Sequence, residues 1–458
     1  MLPLLVTPEF PLRWRPLAVV LMFTLSAFGL VAARPQFDAA SDYGYSFVGT
    51  GAQLFEAELT ADAMTWPTGL SAPGSAWLEV KVVASDEGAP EIVLRGVGRE
   101  VRHVFEVGAR GRRFLDVSPF LTRDQKPAQL EVETSGLEIE AGRATIFWYP
   151  NPRLVRAKVM VVAPHPDDAE IAAFGIYQQT QADVITVTAG DAGGENFAVL
   201  YPDAGEHFRV KGWIRTWDSI SVPFYGGVLP GKARNLGFYD ATLARMHAAP
   251  AETVPPLVAE IPESGYYRGF NTDAALRERP LDPTWQGLVA DLLWELRRVQ
   301  PTVIVAPHPL LDNHADHQFT TIALIDALEQ WGGRCELLLY TNHNREEEAW
   351  PLGDRDAHTG LPSWTEGDLF FDRIYSHALS PEDQRRKLIA LEAMHDLRDF
   401  EISYDGVARD AAASERMERY SYFRRGPRPN ELFFVLSSKR APALRDAFLA
   451  TLERTPSP

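Results

Sequence analysis

Cysteine is almost absent from this chain. Cys335 is the one thiol in 458 residues, which excludes an intrachain disulfide and any cysteine-rich metal site. Stability must then come from core size, and a chain of this length can build two cores. Positive charge is also scarce: 45 Lys and Arg face 62 Asp and Glu, a net charge of −17. That balance argues against nucleic acid and against anionic polymers as partners, and fits neutral glycans or glycolipid head groups better. No internal repeat or low-complexity tract is present. One long uncharged apolar run occurs, from Leu17 to Ala33, preceded by Arg13 and Arg15 and followed by Arg34-Pro35. It is long for the apolar part of a signal peptide and short of the roughly 20 residues of a spanning helix. Residues 1–35 are therefore expected to be a signal peptide or a membrane anchor. Either would place the rest of the chain outside the cytoplasm, periplasmic or secreted, with membrane association if the segment is retained.

What the chain does have is a histidine and two carboxylates packed behind an apolar run. Val159-Met-Val-Val-Ala163 reads as a buried strand, and Pro164-His165-Pro166-Asp167-Asp168-Ala169-Glu170 follows it. The two prolines stiffen the loop around His165. A second run, Val303-Ile-Val-Ala306, leads into Pro307-His308-Pro309 and then Asp312-Asn313-His314-Ala315-Asp316-His317. In open α/β sheets ligands collect at the carboxyl ends of strands. A catalytic zinc needs three protein ligands and an open position. His165 and Asp168 can supply two, and a histidine of the second cluster the third. His308 shares the Pro-His-Pro setting but no carboxylate pair follows it, so it reads as a structural or supporting histidine, with a third-ligand role as the alternative.

The paired motifs His165-Pro-Asp-Asp168 and His314-Ala-Asp-His317 resemble those of the LmbE/PIG-L family of zinc-dependent N-acetylglucosaminide deacetylases. The resemblance implies Zn2+ held by His165, Asp168 and His317. It implies Asp167 as the general base, His314 as the group that stabilises the oxyanion or protonates the leaving amine, and Asp316 as a carboxylate that orients an imidazole. Two departures are visible: Ala169 stands between the Asp pair and Glu170, and Ala315 stands where the family usually has proline. Weaker similarities suggest substrate contacts. Asp191 lies in the glycine-rich loop after the run Val184–Thr188. Arg215 lies in Gly212-Trp-Ile-Arg-Thr-Trp-Asp218 and could equally pair with Asp218. Asp240 ends Asn235-Leu-Gly-Phe-Tyr-Asp240. Trp213, Trp217 and Tyr239 would suit a sugar face, although aromatics at such spacing are more often core.

The fold class expected is α/β. A Rossmann-like parallel sheet flanked by helices would occupy 151–455. Helical spacing from Trp285 to Leu296 leads straight into the strand at 303. Further helices are expected over 319–328, 381–397 and 443–452, and strands at 335–340 and 431–436. Residues 40–150 differ: alternating runs such as 76–83, 91–94, 101–107 and 144–149 predict a β-sandwich, jelly-roll-like, with no site signature of its own. A spacer or substrate-guiding role is expected for it. The function expected is zinc-dependent removal of the acetyl group from an N-acetylated amino sugar. Two rivals stand beside it: a glycan-binding protein with a vestigial metal site, and a metal-dependent hydrolase of another bond, such as a phosphoester, in which His308 would help hold a second ion.

Overall fold

The computed structural model describes residues 37–122, 127–194, 197–397 and 419–454. The apolar run 17–33 lies outside the described residues. Among the described residues no helix is long and apolar enough to cross a membrane.

Two sheets organise the described residues. The first holds strands β1 (Gln53–Leu59), β2 (Ala63–Thr65), β3 (Ser75–Ala84), β4 (Glu91–Gly96), β5 (Arg99–Val104), β6 (Arg110–Asp116), β7 (Gln129–Ser135), β8 (Leu137–Ile139) and β9 (Gly142–Tyr149). All its pairings are antiparallel, in the order β5-β4-β7-β2-β1-β9-β3-β6, with β8 beside β3. The strands join edge to edge into one sheet, rather than the two separate sheets of the expected sandwich. Alternate residues of its two halves, among them Leu78, Val80, Ile92, Leu94, Leu115 and Ile146, form a common core.

The second sheet holds β10 (Lys158–Ala163), β11 (Gln181–Thr188), β12 (Ala233–Phe238), β13 (Val303–Pro307), β14 (Glu336–Tyr340), β15 (Arg373–Ala378) and β16 (Asn430–Ser437), in the order β12-β11-β10-β13-β14-β16-β15. It is mixed: the first five strands pair in parallel, and β16 pairs antiparallel with β14 on one side and with the edge strand β15 on the other. The helices, in chain order, are α1 (Asp168–Gln178), α2 (Ala204–Ser221), α3 (Leu243–Ala248), α4 (Ala274–Arg277), α5 (Trp285–Val299), α6 (Ala315–Trp331), α7 (Pro381–Ala393), α8 (Tyr422–Arg425) and α9 (Ala441–Arg454).

The apolar runs that mark the central strands have a simple cause: both faces of this sheet are covered. In β10, Val159, Val161 and Ala163 face a cluster with Phe174 and Ile176 of α1 and Ala390 of α7. Met160 and Val162 face the opposite cluster, with Leu288, Leu292 and Leu296 of α5 and Ile322 and Ile325 of α6. Strand β13 splits the same way. The chain leaves β10 toward β11 and β12 on one side and returns to β13 on the other. The β10/β13 boundary is therefore a topological switch point, where a crevice opens beyond the strand ends. The loops carrying the two histidine motifs emerge there side by side.

The first sheet does not stand apart from the second. Trp77, Phe114, Phe147 and Tyr149 point away from its own core and join the cluster that covers the second sheet. Tyr45 stacks on Phe434 with ring centroids 6.0 Å apart, and its hydroxyl donates to Pro362 O at 2.6 Å. A buried histidine and a half-buried one meet in the same contact. His103 of β5 and His358 have ring centroids 6.1 Å apart, and His358 N–H donates to Arg102 O. Burial lowers their pKa values to about 4 and about 3, with Arg428 adding to the effect at both. A base depressed in the folded state binds its proton in the unfolded chain first. Stability is thus intact above pH ~6.5 and is lost as pH falls toward 4, on the order of 4 kcal/mol for the pair. Urea unfolding at pH 7 and pH 4.5 should show this loss. A His103→Gln/His358→Gln variant should lose measurably less stability over the same interval, and an equal loss would contradict the assignment.

Candidate metal and catalytic site

The loop 164–167 is held tightly where β10 ends. Thr188 N–H and Oγ1 both donate to Pro164 O. Asp167 adopts φ 124°, outside the regions an L-residue favours. Helix α1 begins at the next residue. On the facing side, α6 begins after His314, whose Nδ1 accepts from Asp316 N–H at 3.3 Å.

Three ligand-type atoms meet between these loops. His165 Nδ1 lies 3.2 Å from His317 Nε2 and 3.3 Å from Asp168 Oδ2, and the last two are 3.2 Å apart. Zinc bonds of about 2.0–2.1 Å in a tetrahedron place ligand atoms roughly 3.3 Å from one another, so this triangle has the size of one face of such a site. The remaining ring nitrogens turn outward to carboxylates. His317 Nδ1 is 3.1 Å from Asp312 Oδ2; His165 Nε2 is 3.1 Å from Asp240 Oδ1 and 3.4 Å from Asp316 Oδ2. Metal-binding histidines need such outer partners to fix the tautomer. One nitrogen each of His165, His314 and His317 also falls within 4.8 Å, as do ligand atoms of His165, Asp240 and Asp316. In the latter group Asp316 accepts from Ala241 and Leu243 N–H and lies on His165 Nε2, away from the Nδ1 that meets Asp168 and His317, so we read it as the outer support of His165.

The electrostatics call for a cation. Burial opposes charge on both histidines, yet Asp168 and Asp312 push the His317 pKa up to about 10, and Asp240, Asp168 and Asp316 raise His165 well above its usual value. Burial likewise opposes the Asp168 carboxylate, but His317 and His165 hold its pKa well below the ordinary range. The neutral set would leave several carboxylates buried together, and a metal ion relieves that. The donor set, two imidazoles and a carboxylate, fits a divalent ion such as zinc.

Asp167 stands beside this node. Its Oδ2 accepts from Arg215 Nη2 at 2.9 Å. Burial pushes its pKa up to about 7, against the pull of Arg215. His314 packs edge-on to His165, with centroids 4.7 Å apart. Burial and the neighbouring His165, His317 and His343 rings hold its pKa well below the usual value. With Nδ1 accepting from Asp316 N–H, the neutral ring carries its proton on Nε2.

Three residues expected at a substrate are held by protein partners. Arg215 is buried and does not pair with Asp218. It donates to Asp167, Pro166 O and Gly190 O, while Asp218 binds His395. Asp240 stands against His165, and Asp191 lies beneath it, accepting from Asp240 N–H at 2.8 Å. Tyr239 is core, whereas Trp213 and Trp217 are 43% and 42% exposed on the outer side of α2, beside Phe270. His308 is fully buried, with Nδ1 accepting from Leu310 N–H and Nε2 3.4 Å from Phe370 O, which matches the structural reading.

Asp312 and Asn342 were not singled out from the sequence. Asp312 accepts from His314, Asn342 and His343 N–H while facing His317. Asn342 Nδ2 donates to Asp168 Oδ1 at 2.7 Å. A usable signal existed for Asn342, a polar residue just past the end of β14, next to β13.

Residues 160–328 match the family model PIG-L, described as GlcNAc-PI de-N-acetylase. No curated protein matches the chain. The chain is similar to the zinc-inhibited form of teicoplanin deacetylase Orf2, at 15% identity over 61% of this chain and 98% of that one, with a TM-score of 0.35. It is also similar to GalB, the 4-carboxy-2-hydroxymuconate hydratase from Pseudomonas putida KT2440, at 14% identity over 61% and 95%, with a TM-score of 0.32. The stretch that holds both histidine motifs, residues 160–328, is a PIG-L (LmbE-like) family domain.

Proposed function

We propose that the protein is a metal-dependent hydrolase that removes the acetyl group from an N-acetylated amino sugar. The observation that carries this reading is the triangle of His165 Nδ1, Asp168 Oδ2 and His317 Nε2, with the Asp167 carboxylate alongside. The family model's description supplies the bond type. A divalent ion held by those three atoms would acidify a water and polarise the acetyl carbonyl. Asp167 takes the proton of the attacking water. His314, neutral with its proton on Nε2, donates to the oxygen that becomes negative in the tetrahedral species. Asp167 then returns its proton to the leaving amine as the carbon–nitrogen bond breaks. A two-ion phosphoesterase is disfavoured, because both nitrogens of His308 are already engaged.

The test is acetate release by the zinc-loaded protein from free, lipid-linked and polymeric N-acetylhexosamines. Release is expected from at least one class. Zinc bound without release from any of them would favour a glycan-binding protein instead. Asp312→Asn should weaken zinc binding roughly 10- to 100-fold by loosening His317. Competition against a chromogenic chelator measures this, and wild-type affinity would show that Asp312 does not orient His317.

A further inference from the structure

Helix α2 places Lys211, Arg215 and Asp218 on one face, at the three- and four-residue spacing that stacks side chains over successive turns. The segment after α7 meets all three. Asp396 Oδ1 is 3.2 Å from Lys211 Nζ, and Asp396 Oδ2 is 3.2 Å from Arg215 Nη1. His395 N–H donates to Asp218 Oδ2 at 3.0 Å, and His395 Nδ1 is 2.7 Å from Asp218 Oδ1. Lys211 and Arg215 are both buried. The other guanidinium arm, Nη2, donates to Asp167 Oδ2 and to Pro166 O, each at 2.9 Å. One planar group thus joins Asp396 on one nitrogen to Asp167 on the other.

We propose that His395 and Asp396 form a positioning latch for the base: Asp396 fixes the plane of Arg215, and Arg215 fixes the Asp167 carboxylate toward the His165–Asp168–His317 triangle. This rests on the reading of Asp167 as the base. The guanidinium is a rigid fork, so anchoring Nη1 sets where the Nη2 hydrogens point. The residue it clamps needs holding, because Asp167 sits at φ 124° and Arg215 binds both its side chain and the carbonyl just before it. Without the Asp396 charge, Nη1 keeps Gly190 O at 3.3 Å, and the buried Lys211 loses its carboxylate partner and keeps Gly194 O. Asp396 is a positioning residue, since it acts through Arg215.

The test uses the zinc-loaded full chain carrying Asp396→Asn, which keeps the shape and removes the charge. On the acetamido sugar that the wild type cleaves best, kcat should fall roughly 10- to 100-fold while KM and zinc stoichiometry stay at wild-type values. Asp396→Glu should recover part of kcat. A crystal structure of the zinc-loaded Asp396→Asn protein should show Arg215 turned from Asp167. Unchanged kcat with Arg215 still on Asp167 overturns the latch. So does a fall in kcat that merely tracks lost zinc and lost thermal stability. If the wild type cleaves no acetamido sugar, the deacetylase reading fails on its own. The positions of Arg215 and Asp167 in the variant crystal still decide the latch.

Discussion

The Asp167→Asn protein is expected to keep its zinc and lose about a thousandfold in kcat. The amide keeps the volume of the carboxylate and still offers an oxygen to Arg215 Nη2, so the loop should hold its shape. What it loses is the ability to take a proton from water and return it to the amine, a contribution that typically spans about 10²–10⁴-fold. KM should change little, because the ligand triangle is untouched. Equal zinc content with a large fall in kcat therefore separates the base from the ligands. Near wild-type turnover would remove Asp167 from the chemistry and leave its strained backbone at φ 124° without a functional reason.

His317→Ala should behave in the opposite way and lose the metal itself. His317 supplies one vertex of the triangle and is fully buried between Asp168 and Asp312. Removing it leaves two buried carboxylates with no cation between them, an arrangement that burial penalises strongly. The variant should therefore bind no stoichiometric zinc and melt below the wild type. Wild-type protein stripped by a chelator should also melt lower and recover when zinc is restored, since a ligand bound only by the folded state stabilises it. Stoichiometric zinc in His317→Ala would require a different ligand set, with His314 as the first substitute to examine.

The parts of this molecule that could be read from its sequence are those in which local pattern and tertiary demand agree. Strands β10, β13 and β14 are covered on both faces, so their sequences are unbroken apolar runs, and the polar residues that follow mark the crevice. Strand β12 is equally buried but reads Ala233-Arg-Asn-Leu-Gly-Phe238, and its polarity hides it. Arg234 is neutralised by Glu295 and Asp183, and Asn235 is bound to Asn271. Those partners are distant in sequence, so no window along the chain could reveal them. The same limit explains Arg215. Its helix and its neighbour Asp218 were visible, but which face turns inward is decided by Asp167 and Asp396, from two other segments. Asp312 lay within the quoted motif, yet only the fold shows that it, and not Asp316, backs His317, while Asp316 and Asp240 back His165.

The measurement that bears most directly on the metal centre is anomalous diffraction at the zinc edge from crystals grown with one equivalent of zinc. A single peak about 2.0–2.2 Å from His165 Nδ1, Asp168 Oδ2 and His317 Nε2, with Asp167 beside it and outside bonding distance, is the expected result. A peak centred instead on His165, Asp240 and Asp316, or no ordered zinc, would contradict the site as assigned.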